Sequence, residues 1–400
     1  MTMRLPVYFD NHATTPMDER VFDAMVPYFR EKFGNAASHT HAYGWDAEAA
    51  VNVARKEISA LINASPEEIT FTSGATESNN LALKGVAEAH HESGGHIIIA
   101  ATEHRSVLDT CHFLERKGFI VKVVPVDRDG FVHIKKIEEV ITPKTILISI
   151  MMANNEIGTI ASVAQIGSLC VSRGILFHTD AVQAAAYLPI DVKGMHIDLL
   201  SLSAHKMYGP KGIGALYIHR RYPRFVLIPQ IHGGGHEGGF RSGTLNVPAI
   251  VGFGKAAAIA REELYSDSDR LTHMRDRFIS GLLERIEEIR LNGHLQQRLP
   301  NNVNVTIAGI SADTLMMELK DIAFSSGSAC SSSNPEPSYV LRALGLEEGE
   351  IKSSIRIGLG RFTTEEEVTY GIKRISEEVV RLRQSRSHPQ KKNASTQVLL

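Results

Sequence analysis

Seven short apolar runs alternate with helical patterns between residues 65 and 220, and this alternation limits the fold more than any other feature of the chain. The runs are rich in β-branched residues and span residues 69–72, 96–101, 119–125, 145–150, 175–178, 197–201 and 214–218. Apolar runs of this length, separated by helices, are typical of strands that are buried on both faces of a sheet. The sequence therefore predicts an α/β layered fold with a largely parallel, seven-stranded sheet.

The pattern changes after Gly254, where a second and smaller unit is predicted. Residues 266–269 (SDSD) have the composition of a helix N-cap, and apolar residues then recur at spacings of three and four up to Ile289. A strand over 302–308, a helix over 312–320, a strand near 353–358 and a helix over 363–383 are predicted to follow. We predict a large domain over residues 16–260, a small α+β domain formed by residues 1–15 and 261–383, and a disordered tail over residues 384–400.

The charge balance and the cysteine count exclude several classes of protein. The chain has 400 residues and 43 basic against 45 acidic side chains, whereas a nucleic-acid-binding protein usually carries a basic surface. Its three cysteines are too few and too far apart for a disulfide framework or a cysteine metal site. The sequence contains neither an apolar signal core nor a run of roughly 18 apolar residues. We therefore expect a cytoplasmic protein that binds neither nucleic acid nor membrane, and we predict no resident metal site.

Asp180 and Lys206 each follow a predicted strand of the sheet, over residues 175–178 and 197–201. Open α/β sheets bind their ligands at the C-terminal ends of the strands. A lysine that forms a Schiff base and an aspartate that pairs with a pyridinium nitrogen are the minimal apparatus for pyridoxal phosphate. For Lys206 considered alone, the alternative is a solvated loop lysine.

A phosphate-binding turn is predicted at residues 73–78 (SGATES), between a strand and the start of a helix. The backbone around Ala75 and the hydroxyl of Thr76 suit an anion at a helix N-terminus, although such residues also cap helices for structural reasons. His104 follows the predicted strand over 96–101, where its flat ring can stack on a planar cofactor. The alternative for His104 is a hydrogen-bonded structural histidine.

Cys330 has different surroundings from the other two cysteines. It lies in FSSGSACSSSNP (324–335), whereas Cys111 and Cys170 lie in predicted helices and fit buried, inert cysteines. The sequence therefore predicts an exposed Cys330 thiol on a mobile loop. Such a thiol is a candidate nucleophile.

Motifs from Tyr8 to about Arg383 resemble those of cysteine desulfurases of the NifS/IscS type, a branch of the class V aminotransferases. The matching segments are SGATESNN (73–80), TEH (102–104), NNEIGT (154–159), HTDAVQA (178–184), SLSAHKMYGPKGIGALY (201–217), RSGT (241–244), SSGSAC (325–330) and SIRIGLGRFTTEEE (354–367). The resemblance implies the fold of the fold-type I pyridoxal-phosphate transferases, with pyridoxal 5'-phosphate as the cofactor. It also implies the conversion of L-cysteine to L-alanine by a sulfurtransferase.

The resemblance further implies a role for each matching residue. Lys206 forms the Schiff base and moves the α-proton, Asp180 pairs with the ring nitrogen, and His104 stacks on the ring. Asn155 and Arg356 bind the substrate carboxylate, and Cys330 attacks the substrate sulfur to leave a persulfide. The other implied cofactor contacts are Gln183 at the ring hydroxyl and, for the phosphate, Ala75, Thr76, Ser203, His205 and Thr244 of the partner subunit.

The same resemblance implies the partners of the chain. The long loop around Cys330 is typical of the branch that supplies sulfur for iron–sulfur cluster assembly, with tRNA thiolation as a second destination. We expect a homodimer that uses L-cysteine and passes sulfur to an iron–sulfur scaffold protein or another acceptor, and iron–sulfur metal binding is implied only through this role. Residues 236–238 (HEG) replace the Gln-Glu-Arg that is common in the family.

Two alternatives remain open from the sequence. A selenocysteine lyase or another class V aminotransferase would use the same cofactor residues without needing Cys330. A non-catalytic binding protein could also retain the fold, although the presence of Lys206, Asp180, His104, Arg356 and Cys330 together argues against it.

Overall fold

The computed structural model describes residues 3–90, 95–220, 225–326 and 337–387. Its strands are β1 (Val7–Tyr8), β2 (Ile69–Thr72), β3 (His96–Ala100), β4 (Ile120–Val124), β5 (Thr145–Ser149), β6 (Leu176–Asp180), β7 (Leu199–Ser203), β8 (Gly214–Ile218), β9 (Ile289–Leu291), β10 (Asn302–Ile307), β11 (Ile322–Ala323), β12 (Ser325–Ser326) and β13 (Ser354–Gly358). Its α-helices are α1 (Glu19–Met25), α2 (Pro27–Arg30), α3 (Ala42–Leu61), α4 (Ala75–Ala89), α5 (Arg105–Arg116), α6 (Ile134–Glu138), α7 (Val163–Arg173), α8 (Val247–Leu283), α9 (Ala312–Glu318), α10 (Tyr339–Ala343), α11 (Glu348–Lys352) and α12 (Glu365–Ser387).

The central sheet has seven strands in the order β2-β8-β7-β6-β5-β3-β4. Strand β8 runs antiparallel to both of its neighbours, and the other adjacent strands are parallel. Each strand lies within two residues of a predicted apolar run at either end. The prediction of an α/β fold with a largely parallel seven-stranded sheet is confirmed.

The sheet register brings polar side chains to one edge. Asp180 is the last residue of β6 and pairs with Ser201 of β7, while Ser203 ends β7 opposite Gly214 of β8. Both strands extend two residues beyond their predicted ends, because the polar residues at these positions resemble a loop in sequence. These polar residues belong to the strands because their backbone groups pair with those of the neighbouring strands.

Alternate residues of the central strands pack into cores on opposite faces of the sheet. Ile97 shares one core with Leu83 of α4, and Ile98 belongs to the larger core that includes residues of α3 and α8. This burial on both faces explains why the strands have continuous apolar sequences. Cys111 and Cys170 are buried free cysteines in these two cores, as predicted.

Two smaller sheets lie beside the central one. Strands β12-β13-β10-β9 form an antiparallel sheet, and β1 pairs with β11 in parallel. The division into domains at residue 260 stays a prediction, because α8 runs without a break across that position.

The predicted helix start at residues 266–269 is wrong, since these residues lie inside α8. Tertiary contacts hold the polar side chains that suggested a cap. Asp267 accepts a hydrogen bond from Arg361 Nε at 2.8 Å, and the Ser268 hydroxyl donates to the carbonyl of Tyr187 at 2.6 Å. With these partners, Asp267 and Ser268 do not compete for the backbone of the helix.

The start of the predicted tail is also wrong, because α12 continues to Ser387. Residues 388–400 lie outside the described residues. Among the helices that the structure describes, none combines the length and the apolar character that a membrane span requires.

Candidate active site

Lys206 lies at the C-terminal edge of the sheet, in a short 3-10 turn (Ala204–Lys206) that directly follows β7. Its Nζ donates hydrogen bonds to the carbonyl of Ala13 at 2.6 Å and to the carbonyl of His12. The hydroxyl of Thr15 donates to the carbonyl of His205 at 3.0 Å, which fixes the N-terminal segment against this turn. Two carbonyl dipoles therefore hold the Lys206 amine in place, and it is not a solvated loop lysine.

Lys206 lines a cavity of about 510 Å³, a volume typical of cofactor sites. The turns that follow β2, β3, β5, β6 and β7 all contribute side chains to this cavity. The structure brings together nine of the predicted site residues here, namely Ala75, Thr76, His104, Asn155, Asp180, Gln183, Ser203, His205 and Lys206. The predicted convergence at the C-terminal edge of the sheet is therefore present.

Asp180 is 5% exposed, and both of its carboxylate oxygens are hydrogen-bonded. Oδ2 accepts from Asn79 Nδ2 at 2.8 Å, and Oδ1 accepts from the backbone N–H of Val182 at 3.0 Å. These bonds fix the carboxylate in one orientation at the cavity wall.

His104 is the N-cap of α5. Its Nδ1 accepts from the backbone N–H of Ser106 at 3.1 Å and lies 2.8 Å from the Ser106 hydroxyl. The ring therefore has a structural hydrogen-bond partner and also lines the cavity, while its stacking on a cofactor stays a prediction.

Gln183 contacts His12, a buried histidine that has no predicted role of its own. His12 Nδ1 lies 3.0 Å from Gln183 Oε1, and Gln183 Nε2 donates to the carbonyl of His12 at 3.1 Å. Burial, assisted by the positive charge of Arg356, lowers the pKa of His12 to about 3, so the ring is neutral. The amide oxygen of Gln183 then accepts from Nδ1–H, which sets the orientation of the Gln183 side chain.

The predicted phosphate-binding turn has a backbone that requires glycine. Gly74 has a φ of +152° immediately before α4, a conformation that other residues rarely adopt. A Cβ on Gly214 would lie only 2.7 Å from Gly74 Cα, so strand β8 approaches this turn too closely for any side chain. The N-terminal amides of α4, beginning at Ala75, are thereby exposed to the cavity.

The ionisation states of Glu77 and His205 affect the charge at this end of the cavity. Burial opposes ionisation of Glu77, but hydrogen bonds from Arg241 and Ser73 outweigh burial and lower its pKa. Burial lowers the pKa of His205 to about 4, with a further contribution from the charges of Lys206 and Lys211. His205 is therefore a neutral hydrogen-bonding group at neutral pH.

Arg356 is 1% exposed and is absent from the described residues that line the cavity, but it contacts Asn155, which lines it. Its Nη1 donates to the carbonyl of Asn155 at 3.2 Å, and its Nη2 donates to Asp10 at 3.0 Å. Arg356 Nε and Asn155 Oδ1 are both buried without a hydrogen-bond partner among the described residues. Unsatisfied polar atoms of this kind fit a polar ligand.

Two of the predicted site residues, Thr244 and Cys330, cannot be assigned to this cavity from the described residues. Thr244 is exposed, and it is absent from the residues that line this cavity in the described part of the chain. Cys330 falls in residues 327–336, outside the described residues. Burial raises the pKa values of Cys111 and Cys170 to about 12, so neither is a competent nucleophile at neutral pH.

The unusual residues 236–238 contain a firmly bound glutamate. Glu237 accepts from both Nη atoms of Arg55, at 2.9 and 2.7 Å, and from the backbone N–H of Phe71 at 2.8 Å. Phe71 belongs to the edge strand β2, so Glu237 ties the segment before Thr244 to the strand that leads into the glycine turn.

Comparison with known proteins identifies the family. Residues 7–370 match the profile of the class V aminotransferases. The chain is 53% identical to cysteine desulfurase IscS of Anaeromyxobacter dehalogenans (strain 2CP-C) over 382 residues, covering 96% of this chain and 94% of the relative. It is also 53% identical to cysteine desulfurase IscS of Neisseria meningitidis serogroup C / serotype 2a over 384 residues, covering 96% and 95% of the two chains. The chain belongs to the cysteine desulfurase branch of the class V aminotransferase family.

Solved structures agree with this assignment. A NifS-like protein superposes with a TM-score of 0.87 at 39% identity, covering 94% of this chain and all of the other. A structure described as SspA in complex with cysteine superposes with a TM-score of 0.80 at 40% identity, covering 90% and 100% of the two chains. The predicted family and the predicted fold-type I architecture are confirmed.

The family depends on pyridoxal phosphate, as predicted. The residues present fit this cofactor by their chemistry. A lysine amine, a buried carboxylate, an aromatic ring and the amide-lined turn at the start of α4 surround one cavity, and they match the cofactor's aldehyde, ring nitrogen, ring face and phosphate.

Proposed function

We propose that this protein is a pyridoxal-phosphate-dependent desulfurase that converts L-cysteine to L-alanine and retains the sulfur on Cys330. The observation that carries the proposal is the single cavity into which Lys206, Asp180, Gln183 and His104 converge. The cysteine in the SspA structure, a protein 40% identical to this chain, supports L-cysteine as the substrate.

Each side chain of the cavity has a proposed task. Lys206 holds the cofactor through Nζ and moves the substrate α-proton, since its amine is the reactive group fixed at this edge. Asp180 faces the ring nitrogen, Gln183 faces the ring hydroxyl, and His104 lies against the ring. The phosphate is held by Ala75, Thr76, Ser203 and His205. When bound, pyridoxal phosphate supplies an electron sink for the substrate α-carbon.

Asn155 and Arg356 are the proposed partners of the substrate carboxylate. Asp10 already binds Nη2 of Arg356, which keeps the guanidinium fixed while its Nε remains without a described partner. A fixed guanidinium presents its remaining donors without losing further side-chain entropy.

Sulfur transfer requires a nucleophilic thiol. In the proposed step the Cys330 thiolate attacks the substrate sulfur, forming an S–S bond while the substrate C–S bond breaks. The electron pair of the C–S bond passes to the substrate Cβ, which takes up a proton, so that the products are L-alanine and a persulfide on Cys330. An iron–sulfur scaffold protein or another acceptor, such as the tRNA thiolation system, would then receive the sulfur.

The proposed assembly is a homodimer. Six large apolar side chains between α1 and the start of α3 are 41–65% exposed, and the rings of Phe33 and Tyr43 stack with their centroids 5.3 Å apart. We call them the α1–α3 apolar surface, and they are Phe22, Val26, Phe29, Phe33, Tyr43 and Trp45. Large exposed apolar side chains grouped in this way are typical of an interface. A second copy is the proposed occupant, with Thr244 of the partner subunit completing the phosphate site.

We place the reaction in the cytoplasm because it needs a free thiol. The two described cysteines are unpaired, and a reducing compartment would keep Cys330 reduced as well.

Alanine formation tests the proposal. Purified protein loaded with pyridoxal phosphate should release alanine from L-cysteine, and Cys330→Ala should lower this rate by at least about 100-fold because the nucleophile is lost. Cys170→Ala is the matched control and should retain the rate, since Cys170 is a buried core residue. Undiminished alanine release by Cys330→Ala would contradict the persulfide route and favour a selenocysteine lyase or another class V aminotransferase.

A further inference from the structure

Asp180 and His104, on two different turns of the cavity, are joined by a continuous chain of hydrogen bonds. Asn79 Nδ2 donates to Asp180 Oδ2 at 2.8 Å and to the Ser106 hydroxyl oxygen at 2.8 Å. The Ser106 hydroxyl in turn lies 2.8 Å from His104 Nδ1. Asn79 is fully buried in α4, and Ser106 is 8% exposed in α5, so the chain crosses the interface between these helices.

The charge of Asp180 sets the direction of every bond in the chain. A carboxylate accepts hydrogen bonds, so the Asn79 amide must turn its NH2 group toward it. The other amide hydrogen then occupies the Ser106 oxygen as an acceptor, and the Ser106 hydroxyl hydrogen remains for His104 Nδ1. The opposite amide orientation would place Asn79 Oδ1 against the carboxylate. In the observed orientation Oδ1 is buried and has no partner among the described residues.

The same direction determines the tautomer of His104. Nδ1 accepts from the Ser106 hydroxyl and also from the Ser106 backbone N–H at 3.1 Å, so Nδ1 carries no proton. A neutral imidazole has its proton on the other nitrogen. His104 therefore has an N–H at Nε2, and at that atom it can donate a hydrogen bond but cannot accept a proton.

We propose that Asn79 is a positioning residue, which holds Asp180 and, through Ser106, fixes the His104 ring with its proton on Nε2. This inference rests on the proposed function, in which Asp180 and His104 face the cofactor. It assigns to His104 the stabilisation of negative charge in the cavity, and it assigns proton removal from the substrate to Lys206 alone.

The first test is the position of the proton in the wild-type protein. Full-length, cofactor-free protein labelled with ¹⁵N in histidine should show, by long-range ¹H–¹⁵N NMR, a neutral His104 ring protonated at Nε2. The His104 signal is the one missing from His104→Gln. A ring protonated at Nδ1 would overturn the proposal, because the Ser106 hydroxyl could not then donate to it.

The second test is a double-mutant cycle on cofactor affinity. Asn79→Leu should raise the dissociation constant for pyridoxal phosphate by about tenfold or more, the effect of removing a hydrogen bond to a charged group. In the Asp180→Asn background the same substitution should change it by less than about twofold, because the two residues act together. Equal effects in both backgrounds would overturn the proposal.

Asn80→Leu is the control, since Asn80 is the adjacent asparagine but donates only to the carbonyl of Thr76 at 2.9 Å among its described contacts. Its dissociation constant should stay within about twofold of the wild-type value. The proposed function and this inference can fail independently. Alanine release that did not need Cys330 would contradict the proposed function, but it would not change the His104 tautomer or the result of the Asn79–Asp180 double-mutant cycle.

Discussion

Glu156 is a buried carboxyl next to Asn155, a proposed partner of the substrate carboxylate, and it accepts a hydrogen bond from the hydroxyl of Ser338, the N-cap of α10. Burial raises its pKa to about 7, against the opposing effects of the Ser338 hydrogen bond and the positive charge of Arg356. The folded protein therefore binds this proton more tightly than the unfolded chain does. Glu156 contributes stability at low pH, and this contribution is lost as the pH rises through about 7.

Glu156→Gln should remove this pH dependence. We expect the difference in unfolding free energy between wild type and variant to change by about 2 kcal/mol between pH 5 and pH 8, with the wild type losing stability as the pH rises. Urea unfolding at the two pH values measures this difference. Glu139→Gln is the control, because a hydrogen bond from Lys136 lowers the pKa of Glu139 and the group does not titrate in this range. Parallel curves for wild type and Glu156→Gln would contradict the account.

At the residue scale, the sequence could predict site residues that have a reactive side chain and directly follow a predicted strand. Lys206, Asp180 and His104 are such residues, and the cavity contains all three. His12 and Asn79 could not be assigned roles in this way, because their partners are distant in sequence. His12 is 171 residues from Gln183, and Asn79 is 101 residues from Asp180. Only the fold brings these pairs into contact.

At the element scale, the close approach of β8 to the glycine turn can be tested with one methyl group. A Cβ on Gly214 would lie 2.6 Å from the carbonyl oxygen of Leu202 and 2.7 Å from Gly74 Cα. Backbone cannot yield as a flexible side chain can, so we expect Gly214→Ala to destabilise the protein by about 1–3 kcal/mol. It should also weaken pyridoxal phosphate binding, because the displaced turn carries the amides of α4.

Thermal unfolding and cofactor titration measure these two effects. The control is Gly349→Ala in α11, where a Cβ would meet no atom within 4 Å. This variant should bind the cofactor normally and be equally stable or slightly more stable. A Gly214→Ala protein with wild-type cofactor affinity would show that the approach of β8 does not shape the turn.

The elements differ in how well their sequences predict them. Buried strands contain continuous apolar residues, and this explains why local sequence predicts six of the seven strands of the central sheet. The edge strand β4 has the same apolar pattern, although four of its five residues are not buried. Helix α8 contains an internal cap-like sequence, SDSD, yet it continues because Arg361 and Tyr187 bind Asp267 and Ser268. Those partners come from other parts of the chain, so no local pattern could have predicted the continuous helix.

At the scale of the whole molecule, the α1–α3 apolar surface should control assembly. Phe29 is 60% exposed and lies in the middle of the segment that forms this surface. A charge at this position would have to be desolvated on dimerisation. We expect Phe29→Glu to weaken dimerisation by at least about 100-fold. Sedimentation velocity should then show a monomer at concentrations at which the wild type is a dimer.

Met317→Glu provides a matched control in α9, where Met317 is 70% exposed and lies outside the α1–α3 apolar surface. This variant should remain a dimer. Dimers of Phe29→Glu as tight as those of the wild type would place the interface elsewhere. Cofactor affinity should fall together with dimerisation in Phe29→Glu, because Thr244 of the partner subunit is proposed to complete the phosphate site.

The most direct measurement of the central claim is the identity of the lysine that holds the cofactor. Borohydride reduction converts a Schiff base into a stable amine, and peptide mass spectrometry then locates the modified residue. Lys206 and Lys211 line the same cavity, which makes Lys211 the internal control. We expect the modification on Lys206 in the wild type and in Lys211→Ala, and none in Lys206→Ala. Modification of Lys211 in the wild type, or of any lysine in Lys206→Ala, would contradict the account.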